Sequence, residues 1–427
     1  MFPLIKKIKK IYKLVPEKES RVVIENALHL STLQGINYVL PILILPYLIR
    51  IIGPEKFGLI AFAQAFTQYF MILTDYGFSV SATREISLCR EQKDRVCALF
   101  SSVMTVKVIL ALLSTLIIIF VLWTIPRFKN DWPVYALSFG AVLGNTLFPA
   151  WFFQGTERMK YISVLNIVAG IIYALGIFIC VRSPGDYLYI PLINSGVSLI
   201  AGVLGLYIVL SKFSVKFTFS SFEDIRKQLK SGWHVFSSIL AINAYTTTRI
   251  FAVGLLTNNI LTGYYTIAEK ISGVIQTFPL VSFSQAIYPR LSHIFLKNKK
   301  KAFELMHRIQ EVALSGFFIS LPIIFLGAHW IARMICGADY KEVTLALRIL
   351  LVSIFFVGGN AYRVQFLLVC GRANSYARIH ATMALLGLPL IFLTIYYFSY
   401  LGAAVSTVII EAGIFILTFK TLQKLSC

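Results

Sequence analysis

Charge is scarce in this chain. Only 14% of its 427 residues are Asp, Glu, Lys or Arg, and of these 40 are basic and 19 acidic. A soluble domain carries about 25% charged residues, so a water-facing surface over the whole chain is excluded. Long polar stretches are missing too: the gaps between apolar runs are short, and none has room for a soluble catalytic domain. Cysteines are few. Cys89, Cys97, Cys180, Cys336, Cys370 and Cys427 form no CxxC motif, which argues against a disulfide frame or a metal site. No cofactor is expected.

What fills the chain is apolar residue, 57% of the total. A bilayer core of about 30 Å needs about twenty apolar residues per helix. At that window roughly twelve stretches stand out, near 27–49, 58–80, 97–122, 133–154, 161–181, 187–210, 233–256, 262–287, 309–331, 343–369, 379–397 and 402–420. Lys and Arg collect in every second gap. The tail 1–26 and the gaps near 81–96, 155–160, 211–232, 288–308, 370–378 and 420–427 hold 28 of them, the intervening gaps only 7. Cytoplasmic loops carry such an excess, so both termini are expected inside the cell. The net charge of +21 is spread over alternate loops and forms no single stripe. It therefore reads as topology and contact with an anionic leaflet, and nucleic acid is not an expected partner. The expected fold is an all-α polytopic membrane protein.

The N-terminal MFPLIKKIKKIYKLVPEKES sets Ile5, Ile8, Ile11 and Tyr12 at helical spacing among lysines, the pattern of an interfacial helix on the inner leaflet. The longest internal polar interruption, 211–232, contains SSFEDIRKQLKSG. There Ser220 or Ser221 with Glu223 or Asp224 makes a capping box, Phe222, Ile225 and Leu229 form one face, and Gly232 is expected to end a short surface helix. The chain then divides into an N-terminal lobe at 1–210 (the interfacial helix plus helices 1–6), a cytoplasmic amphipathic linker at 211–232, and a C-terminal lobe at 233–427 (helices 7–12). The halves echo each other. FGLIAFAQAF (57–66) matches TGYYTIAEKI (262–271), which puts Gly58 over Gly263 and Gln64 over Glu269. Arg84 falls opposite Arg290, and FFQGTERMKY (152–161) matches LVCGRANSYA (368–377) around Gly155 and Gly371. The offsets agree, as for two parallel repeats about an axis along the membrane normal.

The segments GINYVLPILILPYLIRIIGPEKFGLIAFAQAF, TDYGFSVSATREIS and FFQGTERMKYISVLNIV resemble the O-antigen flippases (Wzx-type) of the polysaccharide-transporter branch. That branch belongs to the multidrug/oligosaccharidyl-lipid/polysaccharide exporter superfamily. The resemblance covers nearly the whole chain. It implies a MATE-like transporter of about twelve transmembrane helices in two six-helix lobes, not an enzyme, in the bacterial inner membrane. It also implies a substrate, undecaprenyl-diphosphate-linked oligosaccharide, moved from the inner to the outer leaflet by alternating access. Membrane lipid, a coupling ion (H+ or Na+) and other polysaccharide-assembly membrane proteins are the remaining expected partners.

An ionisable residue at a helix centre costs about 2.5–3.5 kcal/mol, so each one marks a cavity, a pair or a snorkelling position. Five cations fall inside the spans: Lys107, Arg249, Lys270, Arg348 and Arg363. Arg348 sits near a span end and can snorkel. Arg249, Glu269 and Lys270 should share a level, because spans seven and eight are antiparallel neighbours. Forked Arg donors and compact Lys charges suit a diphosphate. Arg249, Lys270, Lys107 and Arg363 are therefore the candidate headgroup ligands, with Asn243 and Tyr245 as polar walls for the glycan. Thr246, Thr247, Thr248, Tyr264 and Tyr265 extend those walls. The competing reading makes Arg249 and Glu269 a buried ion pair that fixes packing while Lys270 snorkels. Asp75, Glu269 and Glu411 are the ion-coupling candidates, since an apolar surrounding favours a carboxyl that can take up a proton. A helix-end hydrogen bond for Asp75 and a packing pair for Glu411 are the bland alternatives.

Two other functions fit a polytopic chain. An O-antigen polymerase or glycosyltransferase would need catalytic groups in a sizeable outer loop, and the outer gaps here are all under about seventeen residues. A drug or cation exporter would favour acids in its cavity, whereas bases outnumber acids within the spans.

Overall fold

In lipid every backbone N–H and C=O must find its partner inside the chain, so apolar runs of this length have the helix as their stable form. A computed structural model describes the backbone of residues 17–426 and the side chains of 40–276, 291, 294, 295, 297–372 and 374–424. The basic segment with Ile5, Ile8, Ile11 and Tyr12, and the side chains of Arg290 and Cys427, lie outside the described residues. The helices are α1 (Glu17–Asp75), α2 (Ser81–Cys89), α3 (Lys93–Thr124), α4 (Pro126–Lys129), α5 (Trp132–Leu147), α6 (Ala150–Gly155) and α7 (Met159–Cys180). After a 3-10 turn at Pro184–Leu188 follow α8 (Tyr189–Lys212), α9 (Phe222–Thr246), α10 (Thr248–Leu256), α11 (Asn259–Lys297), α12 (Lys299–Cys336), α13 (Lys341–Val369) and α14 (Ala373–Ser426). No strand occurs among the described residues.

Two of these helices are compound. The backbone of α1 breaks at Gly53 (φ 71°) and that of α14 at Ser399 (φ 53°). At the first break glycine accepts the left-handed backbone, and Pro54, with no N–H to satisfy, suits the first turn of the next helix. Eight helices among the described residues are long and apolar enough to cross a membrane, or nine if α9 and α10, bent by 48° at their junction, count as one span. The protein is thus a helical membrane protein with many spans. On α3 the face carrying Leu112, Leu116, Phe120 and Trp123 is exposed, while Phe100, Val103 and Met104 are buried. An apolar face left outside the core of a membrane helix is its lipid face.

The chain packs as two compact units. Of the described residues, unit one contains 17–44, Tyr69–Val181 and Leu188–Phe236, and unit two contains Leu45–Gln68, Arg182–Tyr187 and 237–426. The core of unit one is aromatic. Phe152 meets Phe213 edge to face at 5.3 Å, and Phe100 lies 5.6 Å from Trp151. Offset and edge-on geometries like these suit the ring quadrupoles.

Three expected element boundaries differ in the structure. Span two was expected to reach residue 80, but α1 stops at Asp75, because Tyr76 (φ 46°) and Gly77 (φ 76°) both turn left-handed. Span four divides at Phe148–Pro149, where proline cannot donate to the helical ladder. The linker helix does not end at Gly232. It begins where expected, with Asp224 N donating to Ser221 Oγ and Ser221 N donating to Asp224 Oδ2, each at 3.1 Å. It then runs on to Thr246. Ile225 and Leu229 pack on the unit-one core, whereas Phe222 stays exposed. The helix passes close over Tyr76 at Gly232, where a Cβ would lie 2.7 Å from the Tyr76 carbonyl oxygen. Glycine serves close approach at that point and not termination.

Candidate functional site

The run AINAYTTTRI holds three consecutive threonines. β-Branched hydroxyls that bond back along a helix loosen and bend it. Thr246 Oγ1 donates to the Ile242 carbonyl at 3.1 Å, and Thr247 Oγ1 to Asn243 Oδ1 at 3.0 Å. Here α9 gives way to α10, and the first turn of α10 carries Arg249.

All three arms of that guanidinium are engaged. Arg249 Nη2 lies 3.5 Å from Glu269 Oε1 on α11, Nη1 donates to Thr407 Oγ1 on α14 at 2.6 Å, and Nε donates to the Thr246 carbonyl at 3.3 Å. The Glu269 oxygen also accepts Tyr265 Oη–H at 3.2 Å. The pair is sheltered but not sealed, with side-chain exposures of 13% for Arg249 and 25% for Glu269. Glu411 feels the Arg249 charge as well, and its side chain is hydrogen-bonded by Asn360. Asn360 Nδ2 also donates to the Glu411 carbonyl at 3.2 Å, and Thr418 Oγ1 donates to Asn360 Oδ1 at 3.2 Å. Buried polar groups need partners, and α9, α10, α11, α13 and α14 supply them around one arginine.

The other expected residues lie apart from this network or at its edge. Lys270, one residue beyond Glu269 and about 100° further round the helix, is exposed. Asn243 is spent within its own helix, donating from Nδ2 to the Ile239 carbonyl at 2.9 Å. Tyr245 is buried, its hydroxyl 2.7 Å from His380 Nδ1. Arg363 is buried as well. Its Nη1 donates to the Phe415 carbonyl at 3.2 Å, and its guanidinium lies 4.1 Å from the Phe415 ring centre and 5.0 Å from that of Phe419.

Lys107 and Asp75 belong to unit one. Lys107 is 1% exposed, and its Nζ donates to the Asn145 carbonyl at 3.2 Å. That acceptor has a local cause: residue 149 would normally donate to it, and Pro149 has no N–H. Asp75 is the acid whose charge acts on Lys107. The structure therefore pairs Arg249 with Glu269 in unit two, with Glu411 within electrostatic reach, and sets Lys107 within electrostatic reach of Asp75 in unit one. Thr407, Asn360 and His380 were missed from the sequence. The first two were visible as polar residues inside apolar spans, whereas His380 lies beside the basic gap at 370–378 and passes for a loop-edge residue.

Residues 23–295 match the model of a family described as polysaccharide biosynthesis protein. A protein of Escherichia coli (strain K12) named as an O-antigen transporter is 31% identical over 388 residues, covering 90% of this chain and 93% of its own. A protein of Shigella dysenteriae with the same name is 25% identical over 405 residues, covering 93% of this chain and all of its own. Among solved structures, the lipid II flippase MurJ in an inward closed conformation matches with a TM-score of 0.70 at 13% identity, over 94% of this chain and 87% of that one. An inward-facing multidrug resistance MATE family transporter of the MOP superfamily matches with a TM-score of 0.67 at 14% identity, over 91% and 94% of the two chains. At such identities the two structures establish a shared MATE-like helical fold.

Proposed function

The chain belongs to the polysaccharide biosynthesis protein family, and from that membership we propose that it is a flippase for a lipid-linked oligosaccharide. It is a transporter and not an enzyme. The headgroup, an undecaprenyl-diphosphate-linked glycan of the O-antigen type, crosses the bacterial inner membrane from the inner to the outer leaflet by alternating access through a cationic cavity. Both termini lie in the cytoplasm. Breaking α1 at Gly53 and α14 at Ser399, taking α9 with α10 as one span, and counting α11 supports twelve spans. The lobes are 1–210 and 233–427, joined by the linker 211–232.

The observation that carries the reading is the half-sheltered pair of Arg249 and Glu269 beside a helix break inside the membrane. A buried guanidinium stripped of its partner costs several kcal/mol, of order 3–5. An arriving diphosphate replaces the Glu269 carboxylate without leaving that charge bare, so Glu269 holds the place of the substrate between cycles. Lys270 adds a second, mobile charge, and Asn243 and Tyr245 serve the glycan once they are released from the Ile239 carbonyl and from His380. Lys107 and Arg363 act as fixed positive charges along the route, and Asp75, Glu269 and Glu411 are its ion-coupling acids. A diphosphate diester carries about two negative charges, so a potential of 100 mV, negative inside, favours outward movement by roughly 4–5 kcal/mol.

The test is complementation of a flippase-deleted strain with matched O-antigen genes, scored by surface polysaccharide at equal membrane abundance. Rescue by wild type and failure by Arg249→Ala is the expected result. Failure of the wild type in a matched strain would sink the proposal.

A further inference from the structure

Two helix ends line one open cavity in unit two. Its volume is about 480 Å³, and its walls include Arg50, Ile52 and Gly53 of α1, Pro184 of the 3-10 turn, Gly337 after α12 and Tyr340 before α13. That size suits a small-molecule site, which is concave, mostly apolar and furnished with a few placed polar groups. None of these residues belongs to the network around Arg249. On the flippase reading α1 starts in the cytoplasm, so its break at Gly53 and the cavity beside it lie at the outer surface.

The polar groups of the walls narrow the ligand by elimination. The last carbonyls of a helix have no intrahelical donor, and the first arm of α1 ends here. For Arg50 the gap is certain: residue 54 would donate to its carbonyl, and Pro54 has no N–H. The second end is that of α12, which stops at Cys336 before the left-handed Gly337 (φ 73°). Helix C-termini carry partial negative charge, so an anion such as phosphate is disfavoured. A metal cation is disfavoured in turn by Arg50. The Arg50 Nη2 donates to the Met334 carbonyl, and the side chain crosses Gly337 so closely that a Cβ there would lie 2.9 Å from Nε. What fits is an uncharged ligand rich in hydroxyls, which donate to carbonyls and accept from a guanidinium.

Tyr340 adds an aromatic wall. Its ring centre lies 5.6 Å from that of Tyr264, which lies 6.4 Å from that of the buried Tyr400. Tyr400 Oη donates in turn to the Glu342 carbonyl at 3.5 Å. Rings that hold one another in this way set Tyr340 in place before a ligand arrives, which lowers the ordering cost of binding. An apolar ring face with a polar tip is the complement of a sugar, whose ring carries C–H groups on its face and hydroxyls round its rim.

We propose that this cavity is a sugar-binding site, which holds part of the glycan at the outer surface once it has crossed. The proposal rests on the flippase reading for its side of the membrane and for the source of its sugar. Its direct test needs neither the lipid nor transport.

The experiment is saturation-transfer NMR on the purified full-length protein in nanodiscs. Glucose, galactose, rhamnose and N-acetylglucosamine are offered singly at about 10 mM, enough to fill a site of millimolar affinity. Saturation of at least one of them by the wild type is expected. Arg50→Met should weaken that binding about tenfold or more, through loss of a charged donor. Ala338→Trp fills the cavity from an exposed position without deleting a polar group, and should abolish the signal. No saturation of any of the four sugars, or saturation unchanged in both variants, overturns the proposal. Displacement of the sugar by inorganic phosphate or by sodium, at constant ionic strength, overturns it in favour of an anion or a cation site. A wild type that complements but saturates no sugar would sink the sugar site and leave the flippase reading standing. One that saturates a sugar but fails to complement would do the reverse.

Discussion

Gly58, in the second half of α1, and Gly263, in α11, meet at a crossing so close that neither position has room for a Cβ: one on Gly58 would run into the Asn259 carbonyl, and one on Gly263 into the Pro54 carbonyl. These are the two glycines that the internal repeat places in register. Both obstacles are backbone, which cannot swing aside as a side chain can. Gly263→Ala should therefore lower stability by about 1–3 kcal/mol, the usual cost of overpacking. Gly273→Ala, in the same helix but with open space around it, should be neutral or gain up to about 1 kcal/mol of helix propensity. Thermal unfolding of the two detergent-solubilised variants checks this, and equal midpoints would refute it.

Arg249 and Glu269 should separate stability from transport. Glu269→Leu strands a guanidinium and is expected to cost about 3 kcal/mol, whereas the double variant Arg249→Met with Glu269→Leu should recover most of that loss. Neither variant should restore surface polysaccharide. A double variant that transports at the wild-type level would reduce the pair to packing.

Lys107 yields an opposite expectation for stability. Its removal frees the Asn145 carbonyl, at about 1–3 kcal/mol, and takes a positive charge from the half-buried Asp75, but also relieves the larger cost of holding an ammonium away from water, several kcal/mol. The second effect is larger. Lys107→Met should unfold at the same temperature as the wild type or higher, and lose complementation if its charge serves the route. Clear destabilisation of Lys107→Met would show that the hydrogen bond dominates.

Arg363 is held by two phenyl rings and a carbonyl, contacts that depend on a flat, delocalised cation. Arg363→Lys keeps the charge and loses the stacking, so a loss of about 1–2 kcal/mol is expected, with transport retained at equal abundance. Phe415→Leu should cost less once Arg363→Lys is present, which a double-mutant cycle would measure. Independent, additive effects would rule out the stacking account.

How much of this could be read from the residues depends on the length scale of each signal. The spans were visible because hydropathy sums over about twenty positions, and the gaps at 49–57 and 398–401 contain the two backbone breaks, Gly53 and Ser399. The bend before Arg249 was not visible. Apolar character continues through Thr246 and Thr247, and hydropathy does not register where a helical ladder is interrupted. Gly232 shows the reverse failure: a glycine after a basic turn looks like a helix end, and only the passage over Tyr76 explains it. Within the site, Arg249, Glu269 and Glu411 stood out as charges in apolar runs. Asn360, Thr407 and His380 owe their importance to which helices meet, and no single-chain pattern carries that.

The reversal at Ser399 has a consequence for how the protein is made. The two arms of α14 are joined with almost no loop, and Gly402 is pressed so near the Thr394 carbonyl that a side chain could not fit. The bend FSYLG carries no charge. With no polar segment to pull across and no anchor to hold one arm while the other is synthesised, the arms should enter the bilayer together, as a helical hairpin leaving the translocon in one step. Stop codons or cleavage sites placed inside the bend would then leave the first arm poorly inserted, although by hydropathy alone it is long enough to stand by itself.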